Sequence, residues 1–180
     1  MNQSPNLSLD EFLKQATCAV LIDGEVRGTA WLVNKSGYLL TAGHILGEKE
    51  PFNEVLVRFV GDEPRQAHKV EWHFEEGMGI DFAVLKLTDL LPNRYPLPVS
   101  LTESVGGTFR LRGYGVTLPG QSVGEGRILG TYEPPKAIGN HLFQLRSPEV
   151  SERGYSGAAV FSNEGGMAVE ELQNLPQCFY

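Results

Sequence analysis

A serine set between two glycines leads into a short apolar run at residues 153–161, which read Arg153-Gly154-Tyr155-Ser156-Gly157-Ala158-Ala159-Val160-Phe161. Glycine permits tight turns, so glycines two positions before and one after Ser156 let successive backbone N–H groups converge on one point. An oxyanion hole requires that geometry. A Gly-x-Ser-Gly tetrapeptide alone is a weak signal because many turns contain it. Its interpretation therefore depends on the rest of the chain.

Two other segments place a catalytic residue type at a strand end. At residues 39–44 a hydrophobic strand runs through small residues into His44, and at residues 80–87 Asp81 opens an apolar strand, where its carboxylate needs a hydrogen-bond donor. Taken singly, His44 can be a structural or surface residue and Asp81 a solvated turn cap. Together with Ser156 they occur in the order His, Asp, Ser, each in a strand or turn context, and that combination is a much stronger signal.

These three segments resemble those of the chymotrypsin-like (trypsin-like) serine peptidase family, in the style of compact bacterial members without disulfides. Thr41-Ala42-Gly43-His44 is similar to the family's Thr-Ala-x-His segment, Asp81-Phe82-Ala83-Val84-Leu85 to Asp-x-Ala-x-Leu, and Gly154-Tyr155-Ser156-Gly157 to Gly-x-Ser-Gly. Gly28-Thr29-Ala30-Trp31-Leu32-Val33 resembles an early family strand, with Ala30 in place of the usual glycine. The resemblance covers residues 17 to 161.

The resemblance implies a peptidase mechanism and a role for each residue. Ser156 would be the nucleophile, His44 the general base and then acid, and Asp81 the group that holds the imidazole tautomer. The backbone N–H groups of Gly154 and Ser156 would form the oxyanion hole. Val150, six residues before the nucleophile, would line the floor of the substrate pocket. An apolar floor disfavours lysine or arginine and predicts an uncharged substrate side chain before the scissile bond. The alternative, with the alignment shifted by one residue, places the adjacent Glu149 in the pocket.

The remaining sequence predicts an all-β fold, namely two packed antiparallel β-barrels of the chymotrypsin-like type with a short N-terminal helix. Ser8 and Glu11 form a capping-box pattern ahead of a helix over residues 9 to 16. Three prolines between Leu90 and Pro98 indicate a connector. We expect one peptidase domain over residues 1–180, with the first barrel at 1–90, the connector at 91–107, and the second barrel and tail at 108–180. Strands are predicted at Cys18–Ile22, Gly28–Asn34, Tyr38–Thr41, Glu54–Val60, His68–Phe74, Phe82–Leu87, Thr108–Val116, Ser122–Tyr132, His141–Leu145 and Ala158–Phe161. Bulges or turns are predicted at glycines 113, 115, 124, 126 and 130.

Composition narrows the classes of partner. The formal net charge is −7, and no run of lysine or arginine forms a basic stripe, so neither nucleic acid nor a membrane surface is an expected partner. Cys18 and Cys178 form neither a disulfide framework nor a zinc pattern, and His68, His73 and His141 lack further ligands at metal spacing. Met1–Asp10 has no secretory pattern. We therefore expect a cytoplasmic protein without metal or cofactor.

The residues after Ser156 leave a second interpretation open. Only Met167–Val169 offers a return strand beside the nucleophile, and residues 170–176 are expected to form a helix or tail. We accordingly expect a second barrel that is truncated at its C-terminus. The first interpretation is a serine endopeptidase acting on protein or peptide substrates. The alternative is a latent or inactive peptidase-like module that binds peptides or serves as an effector domain of a larger regulated protein, with a partner or regulatory domain.

Overall fold

The computed structural model describes residues 8–75, 80–97, 106–115, 121–132, 142–147, 154–162 and 166–168. Its elements form an all-β molecule with one short helix at the start. They are α1 (Leu9–Ala16), β1 (Thr17–Ile22), β2 (Glu25–Leu32), β3 (Tyr38–Thr41), a 3₁₀ turn (Gly43–Leu46), β4 (Glu54–Phe59), β5 (Arg65–Glu75), β6 (Ile80–Leu87), β7 (Thr108–Tyr114), β8 (Gln121–Tyr132), β9 (Leu142–Arg146), β10 (Val160–Ser162) and β11 (Gly166–Ala168).

Helix α1 begins after the capping residue Ser8. The Ser8 side chain accepts a hydrogen bond from the Glu11 backbone N–H at 3.3 Å, as the capping pattern predicts. Its apolar face packs against residues from both halves of the chain, so the helix covers the place where the halves meet. The buried members of this cluster are Leu13, Ala16, Trp31, Leu97 and Ala159.

The first half is a closed barrel with the strand order β1-β2-β3-β6-β5-β4. In strand β6 the side chains alternate between half-buried and buried positions, and Asp81 is one of the buried residues. Alternation of this kind places one face of a strand on a core. The barrel core includes Val20, Leu32, Leu39, Val57, Phe59, Leu85 and Leu87.

Strand β2 begins at Glu25, three residues before the predicted start at Gly28. Asp23 and Gly24 have φ angles of 53° and 82° and join β1 to β2 as a two-residue turn between the paired Ile22 and Glu25. An Asp-Gly pair is a strong hairpin signal because both positions tolerate positive φ. The charged residues around this turn belong to the hairpin and do not interrupt the strands.

The second half is a five-stranded sheet in the described residues, with the order β11-β10-β7-β8-β9. Its buried core combines Phe109, Leu111, Ile128, Leu145, Tyr155, Ala158 and Val160. The expectation of bulges at glycines 113, 124 and 126 is wrong, since pairing between β7 and β8 is regular across all three, and the register shift lies between Ile128 and Gly130. The absence of a side chain at Gly113 and Gly126 instead admits the rings of Tyr155 and Phe109 against the sheet.

The prediction of an all-β, chymotrypsin-like fold is confirmed. In the connector, the Leu97 N–H donates to the Leu32 carbonyl at 2.8 Å, which ties this segment to the first barrel. The domain boundaries at 90 and 107 stay a prediction, and Pro98, Cys178 and the residues after Ala168 lie outside the described residues. Cys18 is a buried free thiol.

Across the described ranges, no helix has the length and apolar character that a membrane crossing needs. The cytoplasmic location stays a prediction.

Candidate active site

His44 lies in the 3₁₀ turn that directly follows β3, and the Asp81 carboxylate holds it by two contacts. The His44 backbone N–H donates to Asp81 Oδ1 at 2.7 Å, and His44 Nδ1 lies 2.5 Å from Asp81 Oδ2. An ionised carboxylate only accepts hydrogen bonds, so the imidazole donates from Nδ1. The Asp81 side chain is 1% exposed and that of His44 is 34% exposed. The contact with Asp81 therefore occupies Nδ1 and leaves Nε2 of a part-exposed ring for another partner.

Strand β5 supports the His44 turn from the opposite side. Trp72 Nε1 donates to the Gly43 carbonyl at 2.8 Å. The Phe74 ring meets the His44 ring edge-on at 6.2 Å between centroids, and Phe74 pairs with Asp81 across the sheet. Along the sequence, Trp72 lies within the predicted strand His68–Phe74. Its hydrogen bond depends on the pairing of β5 with β6, which a single strand pattern does not reveal.

The Ser156 turn adopts the tight geometry that its glycines allow. Gly154 and Gly157 have φ angles of 109° and 81°, and the Ala158 N–H closes the turn on the Tyr155 carbonyl at 2.9 Å. Positive φ at both positions is readily adopted only by glycine. Within the described ranges, no protein acceptor takes the N–H of Gly154 or of Ser156. The oxyanion-hole role of these two N–H groups stays a prediction.

Thr29 of β2 fastens the Ser156 turn to the barrel that carries His44. The Thr29 N–H donates to the Ser156 carbonyl at 2.9 Å, and the Thr29 hydroxyl donates to the Gly154 carbonyl at 2.7 Å. The Thr41 hydroxyl, three residues before His44, donates to the Thr29 carbonyl at 2.6 Å. One short chain of hydrogen bonds therefore joins the serine turn to the histidine segment.

The model of the trypsin-like peptidase domain family matches residues 28–168 of the chain. The chain belongs to this family. The match contains the segments of His44, Asp81 and Ser156 and the strand that carries Thr29.

Solved structures show the same fold for this trypsin-like peptidase domain. The Rv3671c protease of M. tuberculosis, in an inactive form, superposes with a TM-score of 0.67 at 20% identity, covering 86% of this chain and 76% of that chain. The MamO protease domain of Magnetospirillum magneticum gives a TM-score of 0.65 at 18% identity, covering 88% and 84%. The HtrA-type protease AlgW with a decapeptide gives 0.62 at 22% identity, covering 79% and 41%. A comparison with curated proteins gives no significant match.

In the peptidase domain, two of the three expected catalytic residues are in direct contact. His44 and Asp81 are in direct contact. In the part of the chain that the structure describes, no hydrogen bond joins His44 to Ser156, and the two are related through Thr29 and Thr41. Val150 lies outside the described residues. No group of three or more His, Cys, Asp or Glu side chains able to hold a metal is found among the described residues.

Replacing Trp72 by Phe tests whether β5 positions the His44 turn. The change removes the indole donor and leaves the Gly43 carbonyl without its partner, which we expect to cost about 1 kcal/mol of unfolding free energy. Because that carbonyl belongs to the turn of His44, labelling of Ser156 by a fluorophosphonate should also slow. Urea denaturation and labelling kinetics measure the two effects.

Trp31→Phe is the matched control for this prediction. Trp31 packs in the cluster under α1, away from the His44 turn, so its loss should lower stability without changing the labelling rate of the folded protein. Equal labelling rates in Trp72→Phe and wild type would contradict a positioning role for Trp72.

Proposed function

We propose that this peptidase domain is a serine endopeptidase that hydrolyses peptide bonds through His44, Asp81 and Ser156 and an acyl-enzyme intermediate. One observation carries the proposal. The buried Asp81 carboxylate accepts a hydrogen bond from the backbone N–H of His44 and contacts Nδ1 of the same residue. That contact sets the tautomer a general base needs. The hydrogen bonds of Thr29 to the Ser156 turn add support, because they hold a serine beside the histidine barrel.

The chemistry follows from the atoms at the site. Ser156 Oγ attacks the scissile carbonyl carbon while His44 Nε2 takes its proton, and Asp81 stabilises the imidazolium that forms. The carbonyl oxygen becomes an oxyanion and accepts hydrogen bonds from the N–H groups of Gly154 and Ser156. The intermediate then expels the amine, which takes the proton from His44, and leaves an ester on Ser156. Water attacks this ester by the same steps and releases the acid.

The substrate class follows from the edge of the second sheet. Strand β11 pairs with β10 and is the outer strand of the described sheet order, so its other edge can pair with an extended peptide. The presence of a decapeptide in the AlgW structure supports a peptide as the ligand class. We propose an uncharged side chain before the scissile bond, on the basis of Val150 in the sequence.

A second candidate function is a latent or inactive module that binds peptides without cleaving them. It is favoured by the lack of a hydrogen bond between His44 and Ser156 in the described ranges. Catalytic hydrogen bonds are often long before substrate binds, so this geometry does not exclude the enzyme.

Labelling with a fluorophosphonate probe, followed by mass spectrometry of the labelled peptide, tests the proposal. An active site should place the label on Ser156, and a peptide library should be cleaved after uncharged residues. Ser156→Ala is the control, because any label that this variant takes up must lie on other residues. A folded protein that neither reacts with the probe nor cleaves the library would overturn the endopeptidase assignment in favour of the latent module.

A further inference from the structure

A cleft of about 390 Å³ opens between helix α1, the turn after β4 and the strands β7 and β8. A neighbouring cleft of about 330 Å³ shares Lys14, Val60 and Asp62 with it. The volume is in the range of small-molecule sites. The larger cleft contains none of the proposed catalytic residues, and its polar lining residues are Lys14, Arg58, Asp62, Arg112, Tyr114 and Gln121.

Two residues that line this cleft, Arg112 and Tyr114, each carry a buried donor without a partner in the described residues. The Tyr114 hydroxyl makes no hydrogen bond although the residue is only 4% exposed, and the same is true of Nε in Arg112, which is 9% exposed. A buried polar group without a partner is costly and rare in native proteins, so each calls for an acceptor. Burial raises the pKa of Tyr114, so its hydroxyl stays protonated and can donate. Two residues of the lining therefore carry donors for which the described residues supply no acceptor.

The charge of the cleft selects the kind of acceptor. Lys14, Arg58 and Arg112 bring three cations to its lining, and Arg58 forms no ion pair within the described ranges. Among the described residues of the lining, Asp62 is the one carboxylate, and it is bound by Arg94 at 3.1 Å. Asp10 pairs with Arg112 and Glu11 with Lys14, so the surplus positive charge of the described lining comes from Arg58.

The surrounding contacts hold the cationic groups in place. Arg112 is fixed by Asp10 at 2.5 Å and by the Gln121 side chain at 3.0 Å. Lys14 forms a half-exposed pair with Glu11 at 3.5 Å. A preorganised guanidinium matches carboxylate and phosphate oxygens in both charge and geometry.

We propose that this cleft binds a small ligand through a carboxylate or phosphate group. The Tyr114 hydroxyl and Arg112 Nε donate to the ligand oxygens, and Arg58 and Lys14 supply the balancing charge. The site is separate from the proposed peptidase chemistry and does not depend on it.

Isothermal titration calorimetry of the full chain with inorganic phosphate, and separately with succinate, tests the proposal at fixed ionic strength. We expect one-to-one binding, and the tighter of the two probes identifies the group that the site prefers. Tyr114→Phe should weaken binding at least about tenfold, because a hydrogen bond to a charged group is lost. Arg58→Gln should also weaken binding. Arg127→Gln removes the same charge from an exposed position of β8 outside the cleft and should bind as wild type.

Thermal denaturation separates a binding role of Tyr114 from a structural one. Without ligand, Tyr114→Phe should melt at the same temperature as wild type or higher, because it removes a buried hydroxyl that has no partner. The rise in melting temperature on adding the tighter probe should shrink in the variant. Absence of binding by both probes up to about 10 mM, or equal binding by Tyr114→Phe and wild type, would overturn the proposal.

Discussion

Replacing Asp81 by Asn is expected to lower peptide turnover by a factor on the order of 10⁴ while the fold remains intact. The contacts of Asp81 explain the size of this effect. The amide oxygen of asparagine can replace Oδ1 as acceptor for the His44 N–H, so the amide NH₂ must face Nδ1 in place of Oδ2. Nδ1 then accepts and the ring proton moves to Nε2. His44 can no longer take a proton from Ser156.

Steady-state kinetics on a peptide substrate measures this loss, with near-ultraviolet circular dichroism as the check on folding. Asp89→Asn makes the same chemical change at an exposed position just after β6 and should turn over as wild type. Equal rates for Asp81→Asn and wild type would remove the aspartate from the mechanism.

Replacing Gly157 by Ala is expected to lower the free energy of unfolding by about 3–5 kcal/mol. Gly157 has a φ angle of 81°, which costs an L residue strain energy. A Cβ atom there would also lie 2.2 Å from the Thr29 carbonyl oxygen and 2.5 Å from the Thr41 hydroxyl. These two atoms form the hydrogen bond between Thr41 and Thr29, the residue that holds the Ser156 turn, so the turn would have to move. Urea denaturation measures the change.

Gly61→Ala separates the effect of backbone strain from the effect of the close Cβ contact. Gly61 has nearly the same φ angle, 78°, but a Cβ atom there would meet no atom within 4 Å. It should therefore cost only the backbone strain, about 1 kcal/mol. A loss in Gly157→Ala no larger than that in Gly61→Ala would show that the contact with Thr29 does not constrain the turn.

Local pattern was enough to predict most of the strands and the helix. Tyr38–Thr41 has the predicted bounds, and so does helix α1, because its capping residue and its apolar spacing both act over a few residues. Strand β5 starts at Arg65, three residues before its predicted start at His68. Its first two residues, Arg65 and Gln66, are polar and pair with β4, so the apolar pattern at the start of the strand is weak.

The candidate site likewise has residues that local motifs predict and residues that only long-range contacts reveal. His44, Asp81 and Ser156 stand in motifs that can be recognised along the chain, and the structure brings the first two into contact. Trp72 and Thr29 were not predicted to support them. Their hydrogen bonds join residues that are distant in sequence, so they exist only after the barrel has closed and the second sheet has docked on it.

The hydrogen bonds of Thr29 also bear on the order in which activity is acquired during folding. The hydroxyl bond from Thr29 to Gly154 spans 125 positions of the chain, whereas the barrel strands pair within the first half. Contacts of such separation form late, because the chain must first lose the entropy of closing a long loop. The first barrel, with His44 and Asp81 already in contact, can therefore assemble before the serine turn is fixed. Under the proposed mechanism, proteolytic activity would therefore depend on long-range contacts that the first barrel does not need for its own assembly.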